Sequence, residues 1–271
     1  MKKLSTLLLC AGLLFSMAAC SKKEAIDDKA LDKLIDVIKQ TSQMNSTSYT
    51  IDIESTQGKE KSTAKAAGSV VLGEKPQISL VLDLTANGQT VKDFADFYLT
   101  NNTTYINFMG NKMKSDAGEF SLKANGKEMN ALSKLNKKMF KEYVKEASID
   151  GKTIAITMNT KKLNSEMNKT NKSNNMVSGL VNSNEYKSLK LTIKFDSKNY
   201  LTELKVNGSF TMEKLGEKTS GKANIKLKLS ELNRVIDIDL PTDLNEYKDM
   251  NSTVPGIGDD TSTDDTTNGG L

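Results

Sequence analysis

Residues 189–195 read Leu-Lys-Leu-Thr-Ile-Lys-Phe. Leu189, Leu191, Ile193 and Phe195 alternate with Lys190, Thr192 and Lys194. A period of two with one apolar and one charged flank belongs to a strand with one buried and one wet face. The same pattern continues downstream. Asp196 to Asn199 read as a turn, and Leu204, Val206, Phe210 and Met212 mark the next strand, with Gly208 at a bend or bulge. Ile225, Leu227 and Leu229 alternate with Lys226 and Lys228, and Ile236, Ile238 and Leu240 alternate with Asp237 and Asp239 up to Pro241.

Upstream of this block the alternation recurs. Tyr49, Ile51 and Ile53 alternate with Thr50, Asp52 and Glu54. Val70 to Leu72 and then Ile78, Leu80, Leu82 and Leu84 follow, separated by the turn Glu74-Lys75-Pro76. Asn87-Gly88 is a strong two-residue hairpin signal, and Asn101-Asn102 separates Phe94–Thr100 from Thr104–Met109. Asp150-Gly151 precedes a strand with Ile154, Ile156 and Met158. Three stretches change to helical spacing. Ile26–Gln43 carries Leu31, Leu34, Ile35 and Ile38, with Asp27 and Asp28 at its start. Met129, Leu132, Leu135, Met139, Phe140, Tyr143 and Val144 share one face, and a further helix is expected from about Lys161 to Val181.

One-sided strands of this kind form antiparallel sheets with a single wet face. About ten of them in succession make a sheet long enough to twist and curl over its apolar side. The expected fold is therefore α+β: a large curved antiparallel sheet forming a half-open barrel around a few helices. It occupies residues 26–248 as one domain.

The ends of the chain read differently. Lys2 and Lys3, an apolar run through Leu4–Phe15, and Ala18-Ala19 before Cys20 follow the order of a secretory signal. Met17-Ala18-Ala19-Cys20 resembles a lipobox, which implies cleavage after residue 19 and a diacylglyceryl group on Cys20. The apolar run is too short to span a bilayer. Residues 1–19 are thus expected to be a lipoprotein signal peptide and residues 20–25 a lipidated cysteine with its tether. Acyl chains on Cys20 would hold the protein at a cell membrane on its extracytoplasmic face. Abundant lysine and asparagine lean toward a low-GC Gram-positive source. Residues 249–271 carry Asp249, Asp259, Asp260, Asp264 and Asp265 among Ser, Thr, Asn and Gly, and are expected to be a disordered acidic tail.

Composition narrows the chemistry. Histidine is absent, which excludes His-based metal sites, Ser-His-Asp triads and Cys-His dyads. The two cysteines are Cys10, in the signal segment, and Cys20, so the exported chain has no disulfide. No phosphate-binding loop or nucleophile motif is present. Asp237 and Asp239 share a strand face, but it is the polar one. The aspartate pairs of the tail lack the fixed oxygen geometry of a calcium loop. No enzyme, cofactor or metal is expected. The lysines alternate along strands instead of clustering, so nucleic acid is not expected as a partner. A monomer is expected.

An amino-terminal helix, a long antiparallel meander, a helical interruption and a closing group of strands ending at Ile236–Pro241 resemble the LolA/LolB and LppX/LprG superfamily of lipoproteins. The block from Phe97 to Ile106 is similar to that superfamily's aromatic hairpin. The resemblance implies a hydrophobic cavity between curved sheet and helices that holds acyl chains. Candidate ligand-binding residues are Phe94, Tyr98, Tyr105, Phe108, Met139 and Phe140, and the methionines can line an adaptable pocket. Ordinary core packing is the competing role for all of them. Two functions are compatible with these features: a carrier of a lipid or other apolar ligand, and a structural or regulatory cell-envelope protein that contacts another protein and holds no ligand.

Overall fold

The computed structural model describes residues 26–73, 75–86, 88–116, 136–173, 185–214 and 217–250. The expected signal peptide, Cys20 with its tether, and residues 251–271 of the expected tail lie outside them, as do Met129, Leu132, Leu135, Val177, Leu180 and Val181. The fold is α+β. Twelve strands form one unclosed sheet in the order β12-β6-β5-β4-β3-β2-β1-β11-β10-β9-β8-β7. They are β1 (Ser46–Gln57), β2 (Glu60–Val71), β3 (Gln77–Ala86), β4 (Gln89–Thr100), β5 (Thr103–Phe108), β6 (Asn111–Asp116), β7 (Val144–Asp150), β8 (Thr153–Met158), β9 (Glu185–Phe195), β10 (Leu201–Lys214), β11 (Glu217–Ser230) and β12 (Lys248–Asp249). The first six form one meander and β7 to β11 another. The two join through antiparallel pairing of β1 with β11.

Tight turns make the meander. Asn101 and Asn102 both adopt positive φ (48° and 60°) between the paired Thr100 and Thr103. Met109 and Gly110 do the same between Phe108 and Asn111. Two left-handed residues in succession match the twist of the flanking strands. Gly88, at φ 78°, sits in the loop between Ala86 and Gln89, where a hairpin was expected.

The helices are α1 (Asp28–Thr41), α2 (Lys137–Tyr143) and α3 (Thr160–Ser173). Asp27 caps α1 by accepting from the Lys29 N–H, so the helix starts later than the expected residue 26. Ile26 instead forms a parallel bridge to Ala147 of β7. Asn136 caps α2 by accepting from the Met139 N–H. Val144, expected on the helical face, opens β7 and pairs with Met158; its β-branched side chain suits the strand. The core is built from Leu31, Leu34 and Val37 of α1, Phe140 and Tyr143 of α2, and Ala147, Ile154, Ile156, Ile193 and Leu204 of β7–β10.

Two expectations about strands need correction. β2 (Glu-Lys-Ser-Thr-Ala-Lys-Ala-Ala-Gly-Ser-Val-Val) was legible only at its end, because its interior carries small and polar residues. It forms because β1 and β3 pair with it along both edges. Ile236–Leu240 was expected to be a strand and has no ladder partner. Its alternation persists as sidedness: Ile236, Ile238 and Leu240 are partly buried while Asp237 and Asp239 are exposed. The pattern reports which side faces the protein, not hydrogen bonding. Asp249, assigned to the tail, pairs with Lys114 as part of β12, the one parallel contact with β6.

Candidate apolar face and the outer clasp

Residues paired directly across a ladder share one face of the sheet, so the face packed on α1 can be followed strand by strand. It runs from Ile154 and Ile156 through Ile193 and Leu191, Leu204 and Val206, to Leu227 and Ile225. It continues through Tyr49, Ile51 and Ile53, then Gly68, Ala66 and Ala64, then Leu80, Leu82 and Leu84. Phe97, Ile106 and Met113 complete it. The described helices pack chiefly on β7, β9 and β10, and their core takes in Ile154 and Ile156 of β8. Along β1–β6 the same apolar face is half-buried: Ile51, Leu80, Leu82, Leu84, Phe97, Ile106 and Met113 all keep partial solvent contact.

This half of the face has relief. Ala64 and Ala66 lie low between Ile51 and Ile53 on one side and Leu82 and Leu84 on the other. Tyr49 closes one end of the trough. Its hydroxyl crosses β2 and donates to the Ser79 carbonyl at 2.7 Å. The crossing needs Gly68, where a Cβ would stand 2.8 Å from the Tyr49 oxygen and 1.9 Å from the Ser79 carbonyl oxygen. Burial keeps the Tyr49 phenol protonated well above its usual range. At the far rim Phe94 and Phe108 meet edge to face at 5.1 Å. Val91, Phe108 and Met109 are 44%, 43% and 59% exposed there.

The six candidates therefore do not converge. Phe94 and Phe108 sit together at that rim. Phe140 is in the packed core, with Met139 partly buried next to it in α2. Tyr98 and Tyr105 are a directly opposed pair on the other, outer face of the sheet. They lie under a clasp made by residues 231–249. At one end of this segment the Asn233 N–H donates to the Ser46 carbonyl and the Ser46 hydroxyl to the Arg234 carbonyl. At the other end Lys112 donates to both Asp243 and Glu246. Those two carboxylates hold the Lys112 ammonium charged far above the lysine range. Tyr247 is buried edge-on against Tyr105 at 5.4 Å, and its phenol is pushed up to about 12 chiefly by burial. Beneath, Asn107 Nδ2 donates to Asp96 Oδ2 at 3.0 Å. Burial raises the Asp96 carboxyl, helped by Asp93 and Asp83 and opposed by that hydrogen bond.

Sequence reasoning missed the half-buried aliphatic residues of β1–β6 as a site. Their alternation was visible; that the helices would leave them open was not. No group of three or more metal-ligating side chains occurs among the described residues, and among those residues no helix is long and apolar enough to cross a membrane.

Residues 30–249 match a family described only as a family of unknown function, DUF6612. No curated protein matches the chain. Among solved structures, the crystal structure of LprF from Mycobacterium bovis is similar at 12% identity. The match covers 80% of this chain and 99% of that one, with a TM-score of 0.44. A DUF1329 family protein from Desulfovibrio piger is similar at 10% identity over 80% of this chain and 96% of that one, with a TM-score of 0.27.

Proposed function

The chain belongs to the DUF6612 family, and from that premise we propose that it is a lipid-anchored extracytoplasmic protein that holds a lipid or other apolar molecule against the inner face of its sheet. The observation that carries this reading is the open half of that face: β1–β6 present a continuous apolar surface, while the described helices pack on β7, β9 and β10. Contiguous apolar surface left half-exposed marks a place where something apolar docks. The trough over Ala64 and Ala66 suits a slender chain between two aliphatic walls. A twelve-stranded twisted sheet bends over such a face, which gives the half-open barrel its hollow. The anchor rests on the order of charge, apolar run, small residues and Cys20. In this reading the protein is a monomer, performs no catalysis and takes no cofactor.

A second reading is favoured by the rim. Phe108 and Met109 are exposed at the β5–β6 turn, against Phe94, where they could meet another envelope protein with no ligand in the trough.

One experiment separates the two. The Cys20→Ala chain, released from membranes and purified without detergent, is extracted into organic solvent and the extract weighed by mass spectrometry. The carrier reading expects stoichiometric lipid from this chain and loss of it in Ala66→Phe, which fills the trough, at unchanged melting temperature. A clean extract and an Ala66→Phe protein indistinguishable from the parent leave only the rim-contact reading. The anchor is checked separately: after a high-salt wash that screens surface charge, full-length protein should still sediment with membranes and Cys20→Ala should not.

A further inference from the structure

The outer face of the sheet is electrically divided. Following the ladders from Lys194 gives Glu203 on β10 and then Lys228 on β11, and Thr192 leads likewise to Lys205 and Lys226. Lys190 and Lys222 stand on the same face, opposite Asn207 and Thr56 respectively. Among the described side chains, strands β9–β11 thus turn these six lysines and Lys218 outward, against the carboxylates Glu203 and, opposite Thr211 toward the far end of β9, Glu185. Three of the lysines surround Glu203: Lys194 at 3.2 Å, Lys205 at 3.6 Å and Lys226 at 3.8 Å. The polarity reverses on the next strands, where Asp52 and Glu54 of β1, Asp83 of β3 and Asp96 of β4 face outward alongside Lys61 and Lys65 of β2.

The chain enters the fold beside the basic half. Ile26 bridges Ala147 on β7, whose only strand neighbour in the sheet order is β8. Strands lie about 4.8 Å apart, so β9 is about 10 Å from that entry point. Six residues, 20–25, reach at most about 20 Å. A bilayer that holds Cys20 is therefore close enough for the lysines of β9–β11 to touch it.

We propose that the outer face of β9–β11 is a docking surface for an anionic lipid bilayer, with the acidic half of the same face turned away. The orientation rests on the anchor proposed above; the recognition of negative charge rests on the lysines alone. Lysine ammonium groups on flexible stems are suited to diffuse headgroup charge, and each contributes on the order of a fivefold gain in partitioning near such a surface. The sheet then lies along the membrane through its wet face, and the apolar inner face stays clear of it.

The test uses the mature chain with Cys20→Ala, so that charge is read without acylation, and sedimentation with phosphatidylcholine vesicles with or without phosphatidylglycerol. Binding is expected only to the vesicles containing phosphatidylglycerol and should weaken as salt rises. Replacing Lys190, Lys222 and Lys228 together by Gln, which leaves the Glu203 contacts intact, should lower partitioning about a hundredfold. Replacing Lys61 and Lys65 should leave it unchanged. Equal binding to both vesicle types, absence of binding to either, indifference to the triple change, or salt-sensitive self-association in place of vesicle binding overturns the proposal. Should the triple variant not fold, Lys190→Gln alone and the salt titration of the parent chain give the same decision. Because no acyl chain is present, failure here leaves the anchor untouched, and loss of the anchor by fractionation leaves this result standing.

Discussion

Gly68 and Tyr49 are one device. Tyr49 spends its hydroxyl on a backbone carbonyl two strands away, and the glycine between them is what lets it pass. The two positions should fail differently. Tyr49→Phe removes one hydrogen bond and keeps the ring, so a loss of about 1 kcal/mol is expected in chemical denaturation. Gly68→Ala drives a methyl into the Ser79 carbonyl backbone and should cost about 3 kcal/mol or prevent folding. A Gly68→Ala protein as stable as the parent would show that the strands separate without penalty. Gly221 repeats the theme: it is buried, and a Cβ there would stand 2.6 Å from the Phe210 ring, which lies over it.

Glu203 gives a pH dependence with a definite sign. Its side chain is 13% exposed. Burial pulls its pKa upward, but the Lys194 hydrogen bond and the charges of Lys194, Lys205 and Lys226 outweigh that and leave it lowered. A carboxylate with a lowered folded pKa stabilises the fold above its unfolded value, about 4.3, and loses that contribution as pH falls through the folded value. Thermal melts from neutral to acid pH should therefore show Glu203→Gln less stable than the parent at pH 7, by about 1 kcal/mol or less. The two curves should converge below pH of about 4. A constant gap through the acid limb would mean that Glu203 acts by packing alone.

At the scale of elements, the clasp of residues 231–249 is the part whose behaviour is least like its sequence. Its middle carries a strand's alternation but no strand; its hold comes from both ends, at Ser46 and at Lys112. Tyr247 is the apolar anchor of the second end. Tyr247→Ala should lower stability by about 3 kcal/mol, as for other buried aromatic truncations. It should also speed amide exchange in β5 and β6, where Tyr105 loses its cover, without changing exchange in α1 or β8. Uniform acceleration across the protein would show that the clasp unfolds with the body and is no separate unit.

α1 illustrates an element legible in full. Its apolar spacing and acidic start were readable; Asp27, expected inside the first turn, is instead the cap, and the helix runs two residues shorter at each end. α2 was legible as a face but overrun at its end. Val144 fits both the helical spacing and a strand, and its pairing with Met158 decides for the strand.

The whole molecule is two meanders sharing one sheet, with unlike burial. The β7–β11 half holds the packed core and the helices; the β1–β6 half has a face of the same apolar character with less cover. The aromatic candidates show why a site is harder to read than a fold. Phe97 and Tyr98 are chain neighbours, yet alternation sends Phe97 to the inner face and Tyr98 to the clasp. Choosing aromatic residues by proximity in sequence mixes the two faces. Following one parity along each strand would have collected Phe97, Ile106 and Phe108 instead.

Local pattern alone determined the α+β class, most strands, the hairpin turns and the sidedness of the sheet. Each of these depends on alternation, turn chemistry and capping among residues near in sequence. The tertiary structure decided what pattern cannot hold: that β2 is a strand because its neighbours pair with it, that Ile236–Leu240 is a clasp and not a strand, and that the described helices gather over one half of an apolar face and leave the other half-buried. These outcomes depend on pairing and coverage between residues far apart in the chain, and a one-dimensional period carries no information about which partner arrives.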